Sequence, residues 1–238
     1  MKRAAPKGGP GDAGMARPEI IAHRGASRER PENTLPAFAR AAELGADAVE
    51  LDVHLSQDGH LVVHHDPVIA APSGRAVIGS MTLNALRALP TPLPTLDEVT
   101  GAIGGRLRIY CELKGPGTAP AAVAVLEHLG AMAAVHSFDH RMVADARRLA
   151  PALARGVLET SYHVDPSASL RAVAARDLWQ HEALIDAPLV AAIHAAHGRL
   201  IAWTVNDPAR ARQLAAWGVD GLCTDDVAGI TAALAAAT

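Results

Sequence analysis

The sequence predicts an α/β fold, a closed (β/α)8 barrel in a single domain, on three observations. Of its 238 residues, 50% are hydrophobic and 20% charged, enough apolar material for one sizeable core at a length that suits one barrel. From Glu19 onward, short apolar or β-branched runs alternate with Ala-rich stretches of helical spacing, the pattern of parallel strands joined by helices. Eight such runs occur, and each unit has about 27 residues, room for a strand, a helix and two short loops. An open doubly wound sheet is the competing architecture. No G-x-G-x-x-G or phosphate-loop pattern follows any strand, so the barrel is preferred.

The elements follow in order. Met1 to Pro18, rich in Gly, Pro and Ala, reads as a disordered leader, which leaves residues 19–238 for the barrel. Glu19 to His23 is the first strand. Thr34 to Leu44 is the first helix, with Leu35, Phe38, Ala39 and Ala42 at helical spacing and Gly45 just past its end. Further strands are expected at Asp47 to His54, Arg106 to Lys114, Ala133 to Ser137, Leu153 to Leu158, Leu178 to His181, Leu200 to Val205 and Val219 to Thr224. His60 to His64 reads as a short additional strand. The stretch from Asp66 to Thr95 is irregular and too short for a second domain, with Thr91 to Pro94 a fixed turn before a helix. Asn206 and Asp207 precede Pro208 and are expected to cap a helix.

Composition excludes several functions. The formal net charge is −3 and there are only three Trp, two Tyr and two Phe, so neither a broad phosphate-binding surface nor a base-stacking platform is expected, and no nucleic-acid partner. The longest apolar runs have six residues, as in Ala121 to Leu126, against the ~20 a membrane helix needs, so no transmembrane segment is expected. Cys111 and Cys223 have no metal or redox spacing; reduced thiols and a cytoplasmic location follow. Nothing marks an oligomeric state.

Chemistry concentrates where strand parity puts polar groups inward. Ala48, Glu50, Asp52 and His54 share one face of their strand, while Val49, Leu51 and Val53 share the other, which meets the helices. Glu50 and Asp52 therefore point into the barrel, where two uncompensated carboxylates would repel and suffer desolvation unless a cation joined them. The same parity puts Tyr110, Glu112 and Lys114 together, adding a third carboxylate and an amine. Three oxygen donors without thiols favour Mg²⁺ or Ca²⁺ over structural Zn²⁺. The bland alternatives are an exposed strand face for Glu50 and Asp52 and a surface ion pair for Glu112 and Lys114.

His23, Arg24 and Gly25 follow the first strand at its carboxyl end, where barrel sites are built. His23 can move a proton near neutral pH, and Arg24 offers a planar fork for phosphate or carboxylate oxygens. Such a tripeptide alone is more often a loop or cap. His65 ends another strand with Asp66 beside it to orient the ring. Of the twelve histidines, His54 and His64 receive no role, and His128, His136, His140, His163, His181, His194 and His197 are read as solvent or packing residues.

In order and spacing, His23-Arg24-Gly25, Pro31-Glu32-Asn33-Thr34, Gly45-Ala46-Asp47 with Glu50-Leu51-Asp52, Asp58-Gly59, His65-Asp66, Glu112-Leu113-Lys114, Ser137-Phe138-Asp139, Trp203-Thr204-Val205-Asn206, and Gly218-Val219-Asp220-Gly221 through Thr224-Asp225 resemble the glycerophosphodiester phosphodiesterase family. The resemblance spans residues 20–226. It implies a TIM-type barrel that binds a divalent cation and hydrolyses a small glycerophosphodiester to glycerol 3-phosphate and an alcohol. Glu50, Asp52 and Glu112 look like the metal ligands, His23 and His65 like the acid–base pair, and Arg24 and Lys114 like phosphate contacts. Trp203, which shares parity with Ile201 and Val205, would wall the alcohol end of the pocket or belong to the core. Glu32 and Asn33 are expected to steady the His23 loop.

Two departures from the family pattern are visible: Asp226 stands where a proline commonly follows the Thr-Asp element, and the Asp66 to Thr95 connection is short, so a compact, open site is expected. The alternatives weighed are a lysophospholipase D-like or sphingomyelinase D-like phosphodiesterase, and an inactive barrel that binds metal or phosphate.

Overall fold

A computed structural model describes residues 17–71 and 74–236 of the chain. The expected leader therefore lies outside the described residues up to position 16. Arg17, at its end, pairs with Asp47 at 2.7 Å.

The chain runs β1 (Glu19–His23), α1 (Leu35–Glu43), β2 (Ala48–Leu55), β3 (Leu61–Val63), β4 (Val68–Ala71), β5 (Gly74–Val77), α2 (Leu83–Arg87) and α3 (Leu96–Ile103). It continues through β6 (Arg108–Leu113), α4 (Thr118–Leu126), β7 (Ala133–Ser137), α5 (His140–Leu149), β8 (Ala154–Glu159) and α6 (Ala168–Val173). The last elements are β9 (Asp177–His181), α7 (Ala187–Ala195), β10 (Arg199–Trp203), α8 (Pro208–Trp217), β11 (Gly221–Thr224) and α9 (Val227–Ala235).

All eight expected barrel strands are present. β1, β2 and β6 through β11 pair in parallel with their neighbours, and β1 bonds to both β2 and β11, which closes the sheet into a barrel. β3 pairs antiparallel with β2 and is the short strand expected between His60 and His64. The irregular connection folds into a β4–β5 hairpin and a short helix, closed over their own apolar cluster of Val62, Ile69, Ile78, Leu86 and Leu93.

Local chemistry explains where the helices begin. Thr34 caps α1 by accepting from the Ala37 amide, and Asp207 caps α8 with Pro208 in the first turn. Thr95 and Glu98 form a reciprocal capping box on α3.

Strand parity sorts the side chains as the alternation dictates. Val49, Leu51, Val53 and Ile109 join the layer packed under the helices with Phe38 and Ile193. Ile21, Ala48, Tyr110, Ala134, Leu158, Trp179, Ile201 and Cys223, one from each barrel strand, fill the interior. Below this layer the barrel is closed by charge. Glu19 pairs with Arg108, accepts from Tyr110 Oη at 2.8 Å and from Arg199 Nη2 at 2.8 Å, and Arg199 also reaches the buried Asp177 at 3.4 Å. Above it, two residues further along their strands, stand His23, Glu50, Glu112, His136 and Trp203. Among the described residues, no helix is long and apolar enough to cross a membrane.

Candidate active site

The turn after β1 shapes the site. Arg24 and Gly25 both have positive φ, 56° and 83°. A Cβ on Gly25 would stand 2.8 Å from the Ala37 carbonyl carbon, so only glycine fits there. This turn aims the Arg24 amide at Glu50 Oε2, 3.2 Å away.

His23 lies next to Glu50 in the β1–β2 register. Its Nδ1 stands 2.7 Å from Asp225 Oδ1, and Asp225 in turn accepts from Ser27 Oγ at 3.1 Å and from Asn206 Nδ2 at 2.6 Å. Burial alone would lower the His23 pKa, but the Asp225 hydrogen bond and the charge of Glu50 outweigh it and raise the value. Burial works against the Asp225 carboxylate too, yet His23 and Asn206 hold it down to about 2. Asn206 is thus not a cap, as the sequence suggested. Its amide bridges to Asp225, and Asp207 alone caps α8. The signal for this was weak, because Asn-Asp-Pro is an ordinary helix start.

His65 follows β3, with Nδ1 2.8 Å from Asp66 Oδ1. The unassigned His54 donates from Nε2 to the His65 carbonyl at 2.9 Å and so braces the same loop.

The carboxylates behave as strand parity predicts. Glu50, Asp52 and Glu112 are all buried, and Asp52 and Glu112 are register partners. Asp52 is held from three sides: by Asn33 Nδ2 at 2.9 Å, Lys114 Nζ at 3.2 Å and Arg24 Nε at 3.3 Å. Burial would raise its pKa, but Lys114 and Arg24 bring it below the ordinary value. Glu112 goes the other way: burial and the charge of Asp52 push it up to about 8, although Lys114 Nζ is 3.0 Å away. Glu32 pairs with Arg24 at 2.9 Å, and the Asn33 amide donates to the Arg24 carbonyl, so both residues steady this loop.

His136, read from the sequence as a solvent or packing residue, is packed in the barrel interior and also stands among the carboxylates. Its ring is 1% exposed, lies beside Glu112 in the β6–β7 register, and stacks on Trp179 at 4.3 Å with 9° between planes. Its Nε2 is 3.7 Å from Glu50 Oε1. One donor atom from each of Glu50, Glu112 and His136 lies within 4.8 Å of the other two. The parity rule applied to Ala133–Ser137, with small Ala134 inward, would have found this residue.

His23, Arg24, Glu50, His65, Glu112, Lys114 and Trp203 line one cavity of about 100 Å³ at the carboxyl end of the barrel. Trp203 sits at its edge, with Phe138 and His181 edge-on at 5.5 and 5.4 Å. Asp52 lies behind this lining, 1% exposed. The donors fit a divalent cation. Three buried carboxylates face two cationic side chains that both pair with Asp52, and donor atoms of Glu50 and Glu112 converge with one of His136.

The model of the glycerophosphoryl diester phosphodiesterase family matches residues 23–228. The chain belongs to this family. A glycerophosphodiester phosphodiesterase from Caldanaerobacter subterraneus subsp. tengcongensis is 33% identical over 227 residues, covering 87% of this chain and 93% of that protein. Among solved structures, an Oleispira antarctica phosphodiesterase in complex with the product sn-glycerol-3-phosphate is 30% identical, covers 92% of this chain and 97% of its own, and superposes with a TM-score of 0.85. A glycerophosphodiester phosphodiesterase from Agrobacterium tumefaciens is 28% identical, with a TM-score of 0.79 over 90% of this chain and 99% of that one. As a member of the glycerophosphoryl diester phosphodiesterase family, the chain is a phosphoric diester hydrolase with a TIM-type barrel. Asp226 caps α9 through the Gly229 amide at 2.9 Å and pairs with Arg28 at 2.7 Å.

Proposed function

We propose that this chain hydrolyses small glycerophosphodiesters to glycerol 3-phosphate and an alcohol. The observation that carries this reading is the convergence of two histidines, buried carboxylates and the cations Arg24 and Lys114 on one cavity. The product complex of the Oleispira relative supports the substrate class.

A phosphodiester has one negative charge and a poor alkoxide leaving group, so its cleavage needs charge neutralisation, a deprotonated nucleophile and a proton for the departing oxygen. Glu50, Asp52 and Glu112 would hold a divalent cation. When bound, the ion would supply positive charge to the phosphoryl oxygens and acidify the attacking hydroxyl. Arg24 and Lys114 add donors to the same anion.

His23 and His65 share one construction. Each has its Nδ1 against a carboxylate, Asp225 and Asp66 respectively, so Nε2 is the nitrogen left for the substrate. One imidazole takes the proton of the nucleophile and the other returns one to the leaving oxygen. The nucleophile is water, or the glycerol 2-hydroxyl with a cyclic phosphate that water then opens. Trp203 and Phe138 offer an apolar wall to the departing alcohol. The two buried, free cysteines accord with a cytoplasmic setting.

The deciding experiment is glycerol 3-phosphate release from glycerophosphocholine with Mg²⁺, Ca²⁺ or chelator, with a lysolipid in parallel. Cation-dependent release from glycerophosphocholine is expected. No release with any divalent cation would overturn the reading, and cleavage of the lysolipid alone would replace its substrate class.

A further inference from the structure

We propose that His136 is a nitrogen ligand of the cation held by Glu50 and Glu112, and that it turns the site toward transition-metal dications such as Mn²⁺ or Co²⁺ and away from Mg²⁺ and Ca²⁺. This rests on the reading that the carboxylate cluster holds a divalent cation.

The placement of the ring is specific. β7 sets His136 directly beside Glu112, and its Nε2 faces Glu50 Oε1 at 3.7 Å. That distance is too long for a hydrogen bond. It is the separation expected of two donors that share an ion, because bonds of about 2.1 Å place neighbouring donors roughly 3 to 4 Å apart. The other nitrogen, Nδ1, is buried and has no hydrogen-bond partner. Nε2, which lines the cavity beside the carboxylates and makes no hydrogen bond, is the nitrogen an ion in the cluster would take.

The surroundings hold the ring at this angle. Trp179 covers one face at 4.3 Å, and Tyr110 meets it edge-on at 6.5 Å. Trp179 can lie there because Gly156, the register partner of His136 on β8, has no side chain; a Cβ would stand 2.8 Å from the indole. Asp52, the third carboxylate, is meanwhile held by Asn33, Lys114 and Arg24. The donor atoms that converge are thus two carboxylate oxygens and one imidazole nitrogen. Imidazole nitrogen favours Mn²⁺, Co²⁺ and later first-row ions, whereas Mg²⁺ and Ca²⁺ favour oxygen alone.

The test is Mn²⁺ titration of the whole chain, followed by the loss of the free-ion electron paramagnetic resonance signal, with Mg²⁺ as competitor. Pulsed resonance on the bound ion then detects nitrogen nuclei coupled to it. Nitrogen coupling is expected in the unaltered protein, retained in His65→Gln and His23→Gln, and lost in His136→Gln and His136→Phe. The Phe variant keeps an aromatic ring against Trp179. The preference for Mn²⁺ over Mg²⁺ is expected to fall about tenfold or more in both His136 variants. Bound Mn²⁺ without nitrogen coupling, or coupling that survives in His136→Phe, would overturn the assignment and leave the carboxylate site standing. Absence of both Mn²⁺ and Mg²⁺ binding, or Mn²⁺ binding that Glu50→Gln leaves unchanged, would remove the cation reading itself.

Discussion

Nδ1 of His23 stands 2.7 Å from Oδ1 of Asp225, across 202 residues of sequence, and Asn206 holds the other oxygen of that carboxylate at 2.6 Å. The contact fixes the ring's orientation, leaves Nε2 toward the cavity and favours the imidazolium. Asp225 is therefore a positioning residue for His23.

Asp225→Asn is expected to lower the His23 pKa, because it removes the hydrogen-bonded charge that offsets burial. The limb of the pH–rate profile governed by His23 moves to lower pH, and turnover falls by about tenfold or more. An unchanged profile in Asp225→Asn would contradict this role.

The pair also sets a pH window for stability. Asp225, with its pKa lowered to about 2, contributes stability that is present above 3.8 and lost as pH falls toward 2. His23, with its pKa raised, contributes stability that is present below 6.5 and lost as pH rises through its folded value. The difference in Tm between the unaltered protein and Asp225→Asn should be widest between 3.8 and 6.5 and narrow on both sides. Thermal melts across pH measure it.

His23→Ala and His65→Ala each remove a proton-transfer group and should lower turnover about 10²- to 10⁴-fold. Their circular dichroism spectra should match that of the unaltered protein. Near-normal turnover in either would exclude that histidine from the proton transfers.

Glu50→Gln deletes one negative charge from the convergent donor set while retaining the side chain's size, so cation affinity should drop in calorimetric titration. For the same reason a divalent cation should raise the Tm of the unaltered protein, and chelation should reverse the gain.

Gly25→Ala should destabilise the fold by about 1–3 kcal/mol, since alanine resists this positive φ. Its methyl group would also press on Ala37 at 2.8 Å. The shifted turn would move the Arg24 amide off Glu50, so a lower Tm should come with weaker cation binding.

Much of this architecture is legible along the chain because one rule governs it. In a parallel barrel every strand has one face to the helices and one to the interior, so the alternation in Asp47 to His54 and Arg106 to Lys114 places Glu50, Asp52 and Glu112 inward without knowledge of the fold's details. His136 obeys the same alternation, but its strand is apolar apart from that ring and Ser137 beside it, and a single histidine there resembles core packing. Asn206 and Asp225 escaped for another reason. Their link to His23 depends on β11 closing beside β1, a proximity that no spacing along the chain expresses. Two partners of Asp52, Arg24 and Asn33, depend likewise on the loop after β1, whose path is set by the positive φ values at Arg24, Gly25 and Asn33.

The meeting of β1 with β11 has a consequence for biosynthesis. His23 is translated in the first of the barrel strands, whereas Asp225 follows β11, the last of them. The nascent chain can orient this imidazole only after β11 and Asp225 have been made and have docked beside β1.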